Sequence, residues 1–248
     1  MNILILFLIL LFSCHVDAAN PLSVEMGGEK AQVIVLEGKA SAVKKGTNDT
    51  RKLSRGEFVF AGDRITTDKN SRIALKLPDG SFMRFDEQTT FELNSASFDN
   101  DERNVNVKMI FGKTWAKVAK FFGKKNRFAV STPTATAGVR GTVYRVNVQK
   151  NKMVTVKVYT GEVAVEGKKG EGGGSDDSAK SPYYTSAPKP IAGPHPVSME
   201  EWTYIVKSMQ QIDVNPDGSV RKPFSFSPKD DLDDWVRWNK KLDEQQNL

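Results

Sequence analysis

Residues 104–119 read NVNVKMIFGKTWAKVA, and apolar side chains alternate with polar ones along most of this stretch. Successive side chains of an extended strand point to opposite faces. Four apolar residues therefore share one face: Val105, Val107, Met109 and Phe111. Residues 154–158 (VTVKV) repeat the pattern. A period of two is typical of strands with one buried face, so both stretches favour a β fold.

Similar alternation, interrupted by Asp, Asn, Gly and Pro, extends over residues 24–167. Strands are predicted at residues 32–36, 40–44, 64–67, 72–77, 82–85, 90–96, 105–111, 114–119, 128–131, 142–148, 153–159 and 162–165. Many short strands at a regular spacing are typical of sandwiches and barrels. We therefore expect a mainly β protein, a short-stranded antiparallel sandwich or roll with a small α-rich C-terminal appendage.

The composition limits the chemistry that the chain can perform. It has 248 residues, 39% of them apolar, a formal net charge of +6, one cysteine and two histidines. A single cysteine excludes a disulfide framework and a cysteine-rich metal site. The motifs of nucleophile elbows, phosphate-binding loops and HExxH metalloproteases do not occur in the sequence. We expect a non-enzymatic protein with no cofactor, metal site or catalytic residue.

The first 18 residues resemble a secretory signal. Residues 3–12 (ILILFLILLF) are an apolar run that is too short to span a bilayer as a helix but typical of a signal's hydrophobic region. Val16 and Ala18 are suited to cleavage after residue 18. Alternatively, residues 11–14 (LFSC) resemble a lipobox with Cys14 as the lipidated residue. Both alternatives predict export to the periplasm, the outer membrane or the medium, and membrane contact is expected only if Cys14 is lipidated.

The remaining chain divides into three parts by composition. Residues 24–167 carry the alternating strands and form the predicted β domain. Residues 168–196 are rich in Gly, Ser and Pro and are predicted to be a linker. Residues 197–248 are predicted to be a helical C-terminal appendage.

Two helices and a short strand are predicted in this appendage. Ser198 and Glu201 form a capping box. Four apolar residues follow at helical spacing: Trp202, Ile205, Val206 and Met209. Residues 211–214 are predicted to be a strand, and Ser227 and Pro228 suit the first positions of a second helix. Two short helices cannot bury a core alone, so we expect the appendage to dock on the β domain or on a partner.

Several stretches of the β domain resemble the FecR domain in order and spacing. They are residues 62–67 (GDRITT), 71–81 (SRIALKLPDGS), 111–120 (FGKTWAKVAK), 128–142 (FAVSTPTATAGVRGT) and 159–163 (YTGEV). Together they extend over roughly residues 56–166.

The resemblance implies a role in the cell envelope. The best-known FecR proteins regulate iron transport: a cytoplasmic domain controls a sigma factor, one helix crosses the inner membrane, and the periplasmic part contacts an outer-membrane transporter. The short stretch ahead of residue 24 leaves no room for a sigma-control domain, and we expect no spanning helix. Only the periplasmic β module is therefore expected to correspond.

Within residues 128–142, four residues are predicted to have a structural role: Pro133, Gly138, Arg140 and Gly141. Pro133 cannot donate to a strand ladder and should end a strand. The two glycines should let the backbone turn tightly on either side of Arg140. Arg140 is expected to pair with a carboxylate or with backbone carbonyls, and binding of an anionic ligand is the alternative.

Positive charge is concentrated in the second half of the β domain. Residues 104–169 contain 14 basic and 2 acidic residues, a net charge of +12, whereas residues 199–248 contain 7 basic and 10 acidic residues, a net charge of −3. Six residues are candidates for binding: Lys113, Trp115, Lys117, Lys124, Lys125 and Arg127. The first three should share one strand face, and the others lie in a basic turn with two phenylalanines. The face is either merely solvated, or binds an anionic cell-wall polymer or lipid head group, or binds the acidic appendage; export argues against nucleic acid.

These observations favour a non-catalytic exported envelope protein whose β module contacts an envelope protein or an anionic polymer. The first alternative is periplasmic signalling linked to iron transport through a transporter or a membrane partner encoded elsewhere, and an outer-membrane transporter is one candidate for that partner. A polysaccharide-acting enzyme is the third candidate, because the 30 acidic residues could form many carboxylate pairs although none is singled out.

Overall fold

The computed structural model describes residues 30–99, 101–167 and 203–245. Within these ranges, hydrogen bonds join seventeen strands into one continuous sheet, and one helix follows them. The strands are β1 (Lys30–Glu37), β2 (Ala40–Val43), β3 (Thr50–Lys52), β4 (Phe58–Phe60), β5 (Arg64–Thr67), β6 (Arg72–Lys76), β7 (Phe82–Phe85), β8 (Thr90–Phe98), β9 (Glu102–Lys117), β10 (Lys125–Ser131), β11 (Ala135–Val139), β12 (Val143–Val148), β13 (Val154–Thr160), β14 (Glu162–Gly167), β15 (Thr203–Lys207), β16 (Gln210–Val214) and β17 (Phe224–Ser225), and the helix is α1 (Asp234–Gln245). The predicted signal with Cys14, the predicted linker and the capping box at Ser198 lie outside the described residues.

The continuous sheet forms two packed layers. Sheet A has the strand order β4-β1-β6-β7-β9-β12-β13-β16-β17, and sheet B has the order β3-β2-β5-β8-β9-β10-β11-β14-β15. The inner faces of both layers share one apolar core. Phe85 of β7 and Phe91 of β8 stack within it, with ring centroids 3.5 Å apart. The predicted mainly β fold with a small α appendage is confirmed, although β9 and β10 run parallel.

β9 belongs to both layers. Its first part pairs with β8 and β10 in sheet B, and the part from Gly112 onward pairs with β7 and β12 in sheet A. Gly112 has a φ of +107°, and a Cβ at this position would lie 2.6 Å from the Cα of Thr89. Glycine thus lets the chain bend between layers without a turn. The sequence predicts two strands here, at residues 105–111 and 114–119, whereas the structure has one.

Very short strands, and a strand of mostly small residues, are missed by the alternation pattern. β3, β4 and β11 were not predicted, and β11 contains only Ala, Thr, Gly and Val. Gly138 lies inside β11, where it pairs with Ala129 and Ala164, so the predicted turn at Gly138 is wrong. Gly141 has a φ of +70°, in the left-handed region that favours glycine.

The first predicted helix of the C-terminal region is wrong in its described part. Residues 203–207 form β15, which pairs with β14 at the edge of sheet B, and β16 pairs with β13 in sheet A. Val206 is fully buried and Ile205 is 50% exposed, an alternation that a strand on a sheet imposes. Met209, with a φ of +63°, turns the chain between β15 and β16. The available partner strands outweigh the helical spacing of the apolar residues.

The second helix begins later than the sequence predicts. α1 starts at Asp234, and the Oδ1 atom of Asp233 accepts a hydrogen bond from the backbone N–H of Val236, which makes Asp233 the N-cap. Ser227 and Pro228 lie in the preceding stretch, which carries Asp231 onto sheet A. Across the three described ranges, no helix combines the length and the apolar character that crossing a bilayer requires.

Candidate functional site

The register of sheet A places three cations and one indole in a single row. Arg84 of β7 lies opposite Trp115 of β9, Trp115 lies opposite Arg145 of β12, and Arg145 lies opposite Lys157 of β13. We call these four residues the cationic row; it lies on the face of sheet A that points away from the main core. Like charges directly opposite each other on neighbouring strands destabilise a sheet. The Arg145–Lys157 pair therefore requires an anion.

Asp231 is the anion at one end of the row. Residues 227–245, called here the acidic segment, cross the outer face of sheet A. The carboxylate of Asp231 accepts hydrogen bonds from Arg145, from the Nζ atom of Lys157 at 2.7 Å, and from the hydroxyl of Tyr159. Asp231 and Arg145 are both buried. The carboxylate of Asp231 thus lies between two opposed cations, and Asp233 adds a second carboxylate 3.5 Å from Arg145.

Asp243, near the end of α1, holds the other end of the row. One of its oxygens lies 2.7 Å from the Nη2 atom of Arg84, and the other accepts a hydrogen bond from the indole Nε1 of Trp115 at 3.1 Å. Arg84 and Trp115 are almost completely buried beneath the helix. The acidic segment is therefore fixed on the row by two carboxylates, one at each end.

Aromatic side chains fill the space between the two carboxylates. Trp235 and Val236 of α1 pack against Trp115 and form a second, small apolar core. Trp238 stacks on Trp235 with ring centroids 5.3 Å apart. The guanidinium of Arg72 lies about 5.5 Å from both rings and also bridges the carboxylates of Asp86 and Asp234. Aromatic packing and charge together determine where the segment lies.

Three of the six predicted binding residues contact this segment or its surroundings. Lys113, Trp115 and Lys117 share one face of β9, as their alternation predicts. Trp115 is 1% exposed, the Nζ atom of Lys117 donates to the carbonyl of Asp243 at 3.3 Å, and Lys113 pairs with Asp86 at 3.0 Å. Of the partners considered from the sequence, the acidic appendage is the one that lies on this face. The face formed by Lys113, Trp115 and Lys117 is therefore not a free surface for an external polymer.

The other three predicted binding residues lie elsewhere. Lys124, Lys125 and Arg127 are exposed where the chain passes from β9 into β10. Lys124 pairs with Asp101 at 3.2 Å, and Lys125 pairs with Glu102 at 2.5 Å. They are separate from the cationic row.

The expected pairing of Arg140 is not found. Arg140 is exposed and forms no ion pair or hydrogen bond within the described ranges. Pro133 is also exposed, in the turn between β10 and β11, two residues after the last residue of β10.

A second buried cation, Arg103, supports the start of β10. Its Nη1 atom lies 2.6 Å from Asp79 and donates to the carbonyl of Ala119 at 3.0 Å, and its Nε atom donates to Asn126 at 2.9 Å. The guanidinium lies 5.1 Å from the ring of Phe121 and 5.3 Å from that of Phe128. Arg103 therefore joins both ends of the connection from β9 to β10.

Three described carboxylates are stabilised in their charged form by neighbouring donors. The resolved shifts lower the pKa of Glu92, Asp217 and Asp234, because each carboxylate accepts hydrogen bonds from a neighbouring donor. A general acid at neutral pH needs the opposite shift. Burial also lowers the pKa of Arg84, an effect that Asp243 opposes.

Within the described ranges, no group of three or more His, Cys, Asp or Glu side chains could hold a metal ion.

Replacing Asp231 with asparagine is expected to lower the free energy of unfolding by about 2 kcal/mol, because charged hydrogen bonds are lost and Arg145 is left facing Lys157. Urea denaturation monitored by tryptophan fluorescence measures the change. Asp230→Asn is the matched control, because Asp230 is adjacent and exposed and has no described partner. Equal unfolding midpoints for the two variants would show that Asp231 does not hold the segment.

The alkaline stability should depend on Tyr159. Burial raises the pKa of Tyr159; Arg145 opposes this, and the hydrogen bond to Asp231 adds to it. An unfolded tyrosine ionises near pH 10, whereas the folded one stays protonated there, so stability present below pH 10 falls as the pH rises further. Denaturation between about pH 9 and pH 11 should therefore show a steeper loss for the wild type than for Tyr159→Phe. Parallel pH profiles for the two proteins would contradict this.

Most of the charged contacts of the site could not be predicted from the sequence. Arg84, Arg145, Lys157, Tyr159, Asp231 and Asp243 were not singled out. Strand alternation could indicate that Arg145 and Lys157 point outward, but only the cross-strand register makes them neighbours. The opposite charges of residues 104–169 and 199–248 were the one signal in the sequence that these regions meet.

Comparison with known proteins finds a family model that matches part of the chain. Residues 63–164 match the family model described as FecR protein. Two crystal structures of a proposed anti-sigma factor from Parabacteroides distasonis are similar to the chain, each with 21% identity and a TM-score of 0.46. The similarity covers 67% of this chain and 61% of that one. No curated protein matches the chain significantly in sequence. The chain thus contains a FecR domain, which spans residues 63–164.

Proposed function

We propose that the protein is a non-catalytic, exported protein of the bacterial envelope that acts in signalling through contacts of its FecR domain with another envelope protein. The observation that carries this proposal is the acidic segment on the cationic row. Asp231 and Asp243 contact Arg145, Lys157 and Arg84 in a largely buried arrangement. This face of sheet A therefore has the chemistry to bind an acidic, aromatic segment, and a partner that carries such a segment would compete for the same face.

The composition of the interface favours exchange of the segment over permanent attachment. Buried ion pairs add little net stability, because desolvation of the charges offsets their attraction. The apolar part is small, with only Trp235 and Val236 of α1 fully buried. A partner that offers the same carboxylates and more apolar area could thus displace the acidic segment. Such an exchange would connect partner binding to a change in this protein, as signalling requires.

The absence of catalysis is supported by the state of the buried carboxylates. Asp63, Asp79, Asp86 and Asp231 each pair with an arginine or a lysine. A glycosidase needs two carboxyl groups that face a substrate, one of them with a raised pKa. Turnover of a cell-wall polysaccharide by the purified protein, lost when one carboxylate is neutralised, would contradict a non-catalytic function.

Export is proposed from the N-terminal sequence. The apolar run at residues 3–12 and the small residues at Val16 and Ala18 suit a cleaved signal, and Cys14 suits lipidation. Mass spectrometry of the native N-terminus distinguishes cleavage after Ala18 from lipidation at Cys14. A chain that begins at residue 19 would be soluble in the periplasm or secreted, and one that begins at a diacylated Cys14 would be membrane-anchored. An uncleaved Met1 would contradict export by either route.

Crosslinking in the native host tests the proposed contact. A photoreactive amino acid at Gln211, the residue opposite Lys157 on β16, should crosslink one envelope protein. Asp231→Asn should increase the yield several-fold by loosening the acidic segment, and Asp230→Asn should not. A peptide of residues 226–245 should compete with the purified partner, whereas the same peptide with both Asp231 and Asp243 replaced by asparagine should not. No response to either variant or to the peptide would contradict the proposal.

A second candidate is signalling linked to iron transport. It is favoured by the match of residues 63–164 to the FecR family, whose best-known members regulate iron transport. In that case the protein crosslinked from Gln211 should be an outer-membrane transporter, and the yield should change with iron supply. A partner unrelated to transport would exclude this candidate and leave the more general proposal intact.

A further inference from the structure

A single phenylalanine projects into solvent from the connection between β9 and β10. Phe122 is 89% exposed, more than any other large apolar side chain in the described ranges. It lies in the Phe122 loop, residues 118–124. The loop is at one end of the sandwich and is not part of the cationic row. A single exposed apolar side chain is common on protein surfaces, so the residues around Phe122 decide whether it marks a contact surface.

The loop is held firmly at its base. Arg103 bonds to the carbonyl of Ala119 and to the side chain of Asn126, on either side of the tip. The ring of Phe121 turns inward onto the same guanidinium. A Cβ at Gly123 would lie 2.5 Å from the carbonyl oxygen of Asp101, so the tip is also pressed against the β8–β9 turn. Phe122 therefore does not fold back onto the protein surface.

Basic side chains surround the exposed ring. Lys120, Lys124, Lys125 and Arg127 are all exposed. Lys124 and Lys125 pair with Asp101 and Glu102, but these acidic partners are themselves at least half exposed, so water and salt screen both pairs. The side chains of Lys120 and Arg127 have no described ion-pair or hydrogen-bond partner. The tip of the loop thus combines one exposed apolar ring with several positively charged side chains around it.

We propose that the Phe122 loop binds the surface of an anionic lipid bilayer. The ring inserts at the boundary between head groups and acyl chains, and the four cations contact lipid phosphates. A soluble anionic polymer would bind the cations but would leave the ring in water. A protein partner would require a larger apolar patch or groove than this single projecting ring provides. The contact is weak by itself and orients a protein that is already at the membrane.

Vesicle co-sedimentation tests the proposal with the chain that begins at Ala19, which excludes the N-terminal apolar run. The protein should bind vesicles that contain about 30% phosphatidylglycerol in phosphatidylcholine, and binding should fall with added salt. Phe122→Ala should weaken binding about tenfold, and Phe122→Trp should retain it. Replacing Lys124 and Lys125 together with glutamate should abolish the difference between anionic and neutral vesicles.

Phe60→Ala is the matched control, because Phe60 is 50% exposed on β4, an edge strand that three strands of sheet A separate from β9. This variant should bind vesicles like the wild type. Equal binding of wild type and Phe122→Ala would overturn the proposal, as would equal binding to anionic and neutral vesicles. Retention by an isolated anionic polysaccharide without vesicle binding would assign the loop to a polymer instead. None of these outcomes involves Gln211 or the cationic row, so they leave the proposed protein contact unaffected.

Discussion

Replacing Arg103 with methionine is expected to lower the free energy of unfolding by about 4 kcal/mol. Methionine approximates the volume of the side chain but removes the charge that compensates Asp79, whose carboxylate is 2.6 Å away and whose side chain is 7% exposed. Breaking a buried ion pair by removing one partner typically costs about 3–5 kcal/mol, because the remaining charge is left uncompensated. The hydrogen bonds to Ala119 and Asn126 are lost as well. Urea denaturation followed by circular dichroism measures the change.

Arg64→Met is the control for loss of an arginine from an exposed pair. Arg64 lies 2.6 Å from Glu92, but its side chain is 59% exposed, so the expected loss is below about 1 kcal/mol. If burial of the charge is the cause, combining Asp79→Asn with Arg103→Met should recover part of the lost stability, and the double-mutant cycle measures that coupling. Similar losses for Arg103→Met and Arg64→Met would show that the buried pair has no special role.

Replacing Gly112 with alanine is expected to cost about 4 kcal/mol or more. The backbone there has a φ of +107°, which L side chains rarely adopt, and the added Cβ would lie 2.3 Å from Thr89 Oγ1 and 2.6 Å from Thr89 Cα. The second contact is with backbone and cannot be relieved by a side-chain rotation. Because β9 passes from sheet B to sheet A at this residue, any shift disturbs both layers. Urea denaturation followed by circular dichroism measures this loss of stability as well.

Gly46→Ala separates the cost of the positive φ at Gly112 from the cost of the close contact with Thr89. Gly46 also has a positive φ, +78°, but no atom lies within 4 Å of a Cβ built there. Its replacement should cost only about 1 kcal/mol, the conformational part alone. A loss at Gly112 no larger than that at Gly46 would show that β9 can bend without the close approach to Thr89.

Local patterns in the sequence predicted those parts of the fold that depend on one strand at a time. The alternation around Val105 and Val156 reports which face is buried, and both residues are indeed in the core. The bend at Gly112 was not predicted, because glycine there could equally have indicated a turn. β11 was missed since alanine and glycine have little intrinsic preference for strands, and its two neighbours determine its conformation.

In the candidate site, the sequence does not reveal which residues become neighbours on adjacent strands. Outward-facing positions such as Trp115 can be predicted from alternation, but which residues lie beside them depends on strand order and register. Arg145 becomes the neighbour of Lys157 only because β12 pairs with β13 in one register. Likewise, the apolar spacing at residues 202–209 is compatible with a helix, and β15 exists because the edge of β14 is available. Such pairings are non-local and do not follow from periodicity alone.

The acidic segment is synthesised later than the strands that it contacts. Ribosomes make a chain from its N-terminus, so Asp231 emerges 74 residues after Lys157, and Asp243 emerges 128 residues after Trp115. A sheet that formed without Asp231 would hold Arg145 opposite Lys157 with no Asp231 carboxylate between them. A polypeptide interrupted before Asp231 would keep that defect and would be more open to proteolysis. The acidic segment thus distinguishes a chain that contains Asp231 from one that is interrupted before it.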